Sequence, residues 1–263
     1  MENKVGLSQR RRSPLTIPAA DPAACTPELR VKMLARTSLF RDLEPGELDE
    51  VNTRCRAQGF GANEAIYHAG DPATRIYVVV QGAAKAVSHG DGGRETTLDI
   101  CIPGDLMGAV PALGEQTYSE STWALIPSCT LSLDSEHFTE IINEFPSIAM
   151  ATLKHVSRQL RDTRSTLHLL AGATLEQRLA STLHLLSTRL GQPWHGSTLI
   201  SIPLSREDLA AMIGAAPESV SRLLSLWRKD GIIESGRRWI AVSNPETLTR
   251  LASTPSTGQN AVN

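Results

Sequence analysis

Apolar positions along the chain fall into two regimes. Between Phe60 and Leu133 they come in short bursts separated by turn residues: Ile66, Arg75-Ile-Tyr-Val-Val-Val80, Ala84–Val87, Thr122–Ile126 and Cys129–Leu133. Thr96, Leu98, Ile100 and Ile102 alternate with Thr97, Asp99 and Cys101, the period of a half-buried strand. Gly70-Asp71-Pro72, Gln81-Gly82 and His89-Gly-Asp-Gly-Gly93 mark turns. Strands this short and evenly spaced predict a small barrel-like roll. On either side the spacing becomes helical. Pro27–Leu43 and Pro45–Arg56 read as short helices with Leu34, Leu39, Phe40, Leu48 and Val51 as apolar faces, and Ser135–Phe145 reads as another.

Pro146 opens a longer helix in which Leu153, Val156, Leu160, Thr163, Leu167 and Leu170 are spaced 3, 4, 3, 4 and 3 residues apart. That is a heptad seam, and Lys154, Arg158, Gln159, Arg161, Asp162 and Arg164 make the rest of the helix polar. A narrow apolar stripe on a polar helix predicts a parallel homodimer, with Thr163 as a weak point suited to a shifting contact. Ala171-Gly172-Ala173 is expected to break the helix, with Gly172 as hinge. Thr174–Leu190 reads as a further amphipathic helix and Gly191–Ser197 as loop.

The segment Leu204–Ile233 has the densest local signals. Ser205 precedes an apolar pattern and Asp208 follows three residues later, a capping pair for a short helix carrying Leu209, Met212 and Ile213. Gly214 supplies the left-handed stop, Pro217 a first helical residue and Glu218 a charge suited to a helix N-terminus. Val220, Leu223, Leu224 and Trp227 form the next apolar stripe. Two short helices meeting at a glycine turn predict a helix-turn-helix. Glu218, Ser221, Arg222 and Ser225 share the opposite face of the second helix. Arg pairs bidentately with guanine and Glu accepts from cytosine, so Glu218, Ser221 and Arg222 are the candidate base-reading residues. Asp230–Val242 reads as a strand, a Ser235-Gly236 turn and a second strand, with Ile233, Trp239 and Val242 inward and Arg237 and Arg238 at the tip of a wing. Ser205, Arg206, Ser219, Ser225, Arg237 and Arg238 are the candidate contacts to DNA phosphates.

Totals sharpen this picture without changing it. The 263 residues allow one or two domains, and 41% hydrophobic content supplies real cores. The formal net charge is −2, and residues 201–263 carry seven basic against six acidic side chains, so bulk charge does not drive DNA binding. Local arrangement and two copies acting together must do so. No apolar run is long enough to span a membrane. Cys25, Cys55, Cys101 and Cys129 lie 30, 46 and 28 residues apart, which suggests reduced thiols in a cytoplasmic setting, with Cys101 and Cys129 as buried strand residues. The Arg-, Pro- and Ala-rich segment before Pro27, with Arg10-Arg11-Arg12, reads as a disordered arm. No Ser/His/Asp order, metal-spaced His/Glu set or phosphate loop marks an enzyme.

The helix-turn-helix and wing resemble those of the CRP/FNR superfamily of bacterial transcription regulators. Glu218-Ser-Val-Ser221-Arg222 is similar to the recognition helix of the fumarate-and-nitrate-reduction regulator branch, and Pro217 stands where the cyclic-AMP receptor branch has an additional Arg. The glycines of Gly70-Asp-Pro, Gln81-Gly82 and Pro103-Gly-Asp-Leu-Met-Gly108 resemble the superfamily's cyclic-nucleotide-binding roll. The resemblance, over residues 29–250, implies an α+β chain of a cyclic-nucleotide-binding-like β-roll, a long dimerisation helix and a winged helix-turn-helix. Its expected divisions are a disordered arm at 1–28, the roll sensor at 29–145, the dimerisation helix at 146–171, the DNA-binding domain at 172–250 and a flexible tail at 251–263. It implies double-stranded DNA with TTGAT-type half-sites, Arg222 on guanine, Glu218 on the opposing strand and Ser221 at a thymine, with RNA polymerase as a further partner. It does not extend to a known effector. Ala109 stands where cyclic-nucleotide binders carry a Glu, and no Lys or Arg lies between Arg94 and Lys154, so a cyclic phosphate lacks its cation. Cys25 is the sole cysteine where the iron–sulfur branch clusters three, and His68 is a lone candidate for haem. No cofactor is therefore expected.

Overall fold

A computed structural model describes residues 13–15, 25–90, 95–108, 114 and 116–253. Ala109, most of the N-terminal arm and the tail beyond Ser253 lie outside the described residues. The chain divides into two compact units, residues 17–162 and residues 163–263 joined by 1–16.

The first unit opens with α1 (Pro27–Leu34) and α2 (Pro45–Arg54). α1 stops at Leu34 rather than continuing to Leu43, and the intervening residues form consecutive turns in which the Thr37 hydroxyl donates to the Met33 carbonyl at 3.0 Å. Eight strands follow: β1 (Arg56–Phe60), β2 (Ala65–Tyr67), β3 (Arg75–Gln81), β4 (Ala84–His89), β5 (Glu95–Cys101), β6 (Leu106–Met107), β7 (Ser121–Ala124) and β8 (Ser128–Asp134). They form two antiparallel four-stranded sheets, ordered β1-β8-β3-β6 and β2-β7-β4-β5. The expected roll is present, with β1 taking residues whose polar sequence had concealed a strand.

The unbroken apolar run of β3 has a simple cause. Ile76, Val78 and Val80 pack into one core beneath α1, α2 and α3 (Ser135–Glu144), whereas Tyr77 and Val79 face a second core inside the roll. A strand buried on both faces has no polar side to show. Gly82, at φ 93°, turns the chain into β4 where a Cβ would stand 2.3 Å from Ser128 Oγ. Neither the backbone conformation nor the space admits another residue there.

One facing was reversed. The alternation through Thr96–Ile102 places Leu98 on the buried side, yet Leu98 is 56% exposed and Thr97 is buried. β4 pairs Ala86 with Asp99 and Val87 with Thr97, so Leu98 is the extra residue of a β-bulge. One inserted residue exchanges the two faces of everything beyond it.

Cys25 and Cys129 are joined as a disulfide across 104 residues, which corrects the expectation of reduced thiols. Both side chains lie in the core shared by the helices and β8, a convergence that residue spacing does not reveal. Cys101 is buried as expected, and neither it nor the half-buried Cys55 belongs to a disulfide. Thr26 caps α1, and the buried Cys25 precedes it.

α4 (Pro146–Gly172) runs through Gly172. The break falls at Ala173–Thr174, because Thr174 and Gln177 form a capping box that starts α5 (Leu175–Leu190). The expected hinge glycine thus sits in the last turn of α4, flanked by alanines that favour helix.

In the second unit, α5 is followed by β9 (Gly191–Trp194) and β10 (Ser197–Ile200), a hairpin where a loop was expected. His195 and Gly196 both have positive φ, the conformation of a tight two-residue hairpin turn, and Pro193 is tolerated because β9 is an edge strand. Then come α6 (Arg206–Ile213), α7 (Pro217–Lys229), β11 (Ile233–Gly236), β12 (Trp239–Val242) and α8 (Pro245–Ser253). The sheet is ordered β11-β12-β10-β9. Leu15 of the arm packs with Trp194 against Leu199, Trp239 and Ala241 of this sheet.

Candidate nucleic-acid interface

α6 begins as its sequence dictates. Ser205 Oγ accepts from the Asp208 N–H at 3.0 Å, and Asp208 Oδ2 accepts from the Ser205 N–H at 2.8 Å. Gly214 ends the helix at φ 61°, ψ 46°, and the Ala215 N–H returns to the Ala210 carbonyl at 3.0 Å. Arg178 of α5 closes the turn from outside, its Nη1 donating to the Ile213 carbonyl at 2.7 Å. Leu170 also reaches this turn: its Cδ2 lies 3.6 Å from where a Cβ on Gly214 would stand.

Pro217 occupies the first turn of α7. Val220, Leu224 and Trp227 are buried, and the Trp227 indole N–H donates to Glu176 Oε1 at 3.3 Å, which ties α7 to α5. The opposite stripe is in water. Glu218, Ser221, Arg222 and Ser225 are all exposed, and Ser219 is half-buried. The Ser225 hydroxyl donates to the Ser221 carbonyl at 2.8 Å, so it meets a ligand with its lone pairs. The helix therefore offers one carboxylate, one guanidinium and short hydroxyls between them, a set that can meet both donors and acceptors on base edges.

Arg206 is half-buried at the start of α6. Burial, and next the charge of Arg228, hold its pKa below the ordinary arginine value, against the pull of Glu207. Two guanidiniums close enough to repel make a place for an anion such as a phosphate oxygen. Arg228 was not among the candidates; its position three residues after Ser225 on the exposed stripe was the available signal. Ser205 accepts the cap N–H and its hydroxyl also bonds the Glu207 carboxylate, so a phosphate there competes with Glu207 for its proton.

The wing differs by a residue from its expected form. Gly236 pairs with Trp239, so Arg237 and Arg238 themselves are the two-residue turn, with Arg238 at φ 61°. Both arginines are exposed, and Ile233, Trp239 and Val242 are buried as expected. Along α4, Leu153, Val156, Leu160, Thr163, Leu167 and Leu170 are all exposed in the single chain, Leu167 at 65%.

Comparison with known proteins bears on both units. Residues 57–145 match the cyclic nucleotide-binding domain, and residues 177–251 match the Crp-like helix-turn-helix domain. The two domains follow one another in the order of the roll and the helix-turn-helix. The chain is a CRP/FNR-type transcription regulator. Among regulators of this type, it is 25% identical over 221 residues to the CRP-like cAMP-activated global transcriptional regulator of Mycobacterium tuberculosis, covering 84% of this chain and 99% of that one. It is 27% identical over 205 residues to the transcriptional activator protein anr of Pseudomonas aeruginosa, covering 78% and 83%. The structure of FixK2 from Bradyrhizobium japonicum superposes with a TM-score of 0.69 at 25% identity, over 77% of this chain and 99% of that one. CRP/FNR-type regulators thus share the α+β layout of roll, long helix and DNA-binding helix-turn-helix seen here. Among the described residues no helix is long and apolar enough to cross a membrane, and no group of three His, Cys, Asp or Glu could hold a metal ion.

Proposed function

We propose that the chain acts in the cytoplasm as a homodimer that places two copies of α7 in successive major grooves of a palindromic DNA site, about one helical turn apart. The observation that carries this reading is the pairing of two exposed stripes, leucines along α4 and Glu218, Ser221 and Arg222 along α7. The first calls for a second helix, the second for polar base edges. In this reading Arg222 takes a guanine of a TTGAT-type half-site, Glu218 the opposing strand and Ser221 a thymine. Arg206, Arg237 and Arg238 bind phosphates with Ser205, Ser219 and Ser225, and RNA polymerase is the partner that reads out the bound dimer.

A signal at the roll or along α4 sets the distance between the two recognition helices, and it acts only through unequal affinity for two dimer states. The Mycobacterium tuberculosis relative is named as cAMP-activated. For this chain the stretch between Arg94 and Lys154 brings no cation to a cyclic phosphate, and the roll core is filled by the stacked rings of Tyr67, Tyr77 and Tyr118, with centroids 5.6 and 4.1 Å from Tyr67. An iron–sulfur cluster is left out of the reading because Cys25 and Cys129 are bonded to each other, while Cys55 and Cys101 pack in different cores. Haem is left out because the His68 ring is taken up by an edge-on contact with Trp123 at 5.3 Å.

Titration of a fluorescent TTGAT palindrome, with a scrambled duplex of equal length beside it, tests the reading. The expected result is a dimer-to-duplex complex at least ~10³-fold tighter on the palindrome at one fixed salt concentration. Equal affinity for both duplexes refutes it.

A further inference from the structure

We propose that Cys25 and Cys129 form a reversible thiol–disulfide site that fastens the segment preceding α1 to β8 and gives the roll an input requiring no resident ligand. As an input to DNA binding it rests on the reading above; as a redox site it stands alone.

The two sulfurs come from unequal surroundings. Cys129 lies in the centre of a sheet, in register with Gly59 on one side and Gln81 on the other, and is fully buried. Cys25 is equally buried at 2% exposure but stands outside any strand, one residue before the α1 cap. There it is held by the Arg30 Nε–H donating to its carbonyl at 2.9 Å and by Thr26 Oγ1 accepting from the Leu29 N–H at 3.3 Å. Bonds at a helix start open more readily than the strand ladder of β8, so local opening at the start of α1 uncovers Cys25 while the sheet stays intact. A bond between such partners can be reached without unfolding the domain. Cytosolic disulfides are characteristically redox-sensing rather than structural.

A third thiol tests the design from within. Cys55 packs against the same core and sits near Arg30, yet burial pushes its thiol up to about 12 despite that charge. It stays protonated near neutral pH and does not attack the bond, so the pair is not scrambled.

The exchange balances with a low-molecular-weight disulfide as oxidant. The Cys25 thiolate attacks one sulfur of the disulfide, whose other half leaves as a thiolate. The Cys129 thiolate then attacks the Cys25 sulfur and expels the second half. One protein S–S bond forms and one small-molecule S–S bond breaks. Two electrons pass to the oxidant, and the two protein thiol protons end on the two released thiols. An excess of small dithiol reverses each step.

The test uses the full chain equilibrated across reduced-to-oxidised glutathione ratios, quenched by alkylation and scored by peptide mass, with circular dichroism followed in parallel. Cys25 and Cys129 should lose and regain label together in one two-electron transition while the fold remains native, with Cys55 and Cys101 unlinked throughout. Thermal unfolding of the oxidised form should be about 5–15 °C above the reduced form, a difference that Cys25→Ser abolishes. In Cys129→Ala, Cys25 should label at the rate at which the first turn of α1 opens, and if that variant fails to fold, Cys25→Ser still carries the test. The site is overturned if the two cysteines titrate independently, link to Cys55 or Cys101, or close only in unfolded protein. Palindrome affinity of the two forms tests the input. A difference absent from Cys25→Ser supports it; equal affinity, with the redox transition intact, removes the input and leaves the site standing. Failure of both forms to prefer the palindrome refutes the DNA reading instead.

Discussion

α4 and α7 each bury one stripe and leave another in water, and they leave opposite chemistries. α4 buries Ile148 and Thr152 and exposes Met150, Leu153, Val156, Leu160, Leu167 and Leu170. α7 buries Val220, Leu224 and Trp227 and exposes Glu218, Ser221, Arg222 and Ser225. An apolar stripe in water is a cost that association removes, which is why the proposed dimer completes α4 with another helix. A polar stripe on a helix already anchored by Trp227 needs no partner for stability, which leaves its side chains available for recognition. Leu170 stands between the two roles, exposed on α4 and close to the turn at Gly214. In the proposed dimer, Leu170 would carry a change at the end of the α4 seam to the turn that precedes α7.

The comparison can be broken from either side. The largest effect is expected from Leu160→Glu with Leu167→Glu, which puts two charges into the seam. The chain should become monomeric in sedimentation, with palindrome affinity falling ~10²–10⁴-fold as bivalence is lost, while circular dichroism stays native. A dimer that survives both substitutions would place the interface elsewhere. Next comes Trp227→Ala, which removes the anchor beneath α7. Chemical denaturation should show a loss of ~3–5 kcal/mol in the second unit, with dimerisation retained. Ser205→Ala takes away half of the α6 capping box and should cost ~1 kcal/mol in the same experiment. The smallest change sharpens the polar side: Arg237→Ala should weaken specific and scrambled duplexes alike and lower the slope of log affinity against log salt by about 1. A sequence-dependent loss would make Arg237 a base reader.

Legibility followed the range of the signals. The helix-turn-helix was readable because its determinants are local: Ser205 and Asp208 cap within one turn, Gly214 stops, and Pro217 restarts three residues on. The roll was readable as a class for the same reason, through Gly70, Gly82 and Gly104, all of which take positive φ. What escaped depends on pairing between distant residues. The bulge at Leu98 is fixed by the register of β4, the hairpin at His195–Gly196 by β12 accepting β10, and the disulfide by two segments 104 residues apart. Gly172 misled because a glycine between alanines can finish a helix as readily as break it, and the decision lay with the cap at Thr174. At the interface itself, the exposed quartet of α7 was legible from spacing. The closeness of Arg228 to Arg206 needed the crossing of two helices.

The most direct test of the central claim is a full substitution profile of the palindrome, every base pair changed singly, for wild type and Arg222→Ala at one salt concentration. The account predicts that Arg222→Ala loses ~1–3 kcal/mol on the parent site and becomes indifferent at one symmetry-related guanine pair, its profile elsewhere unchanged. Parallel profiles at every position would show that Arg222 does not read a base, and would contradict the assignment of α7 as the reading helix.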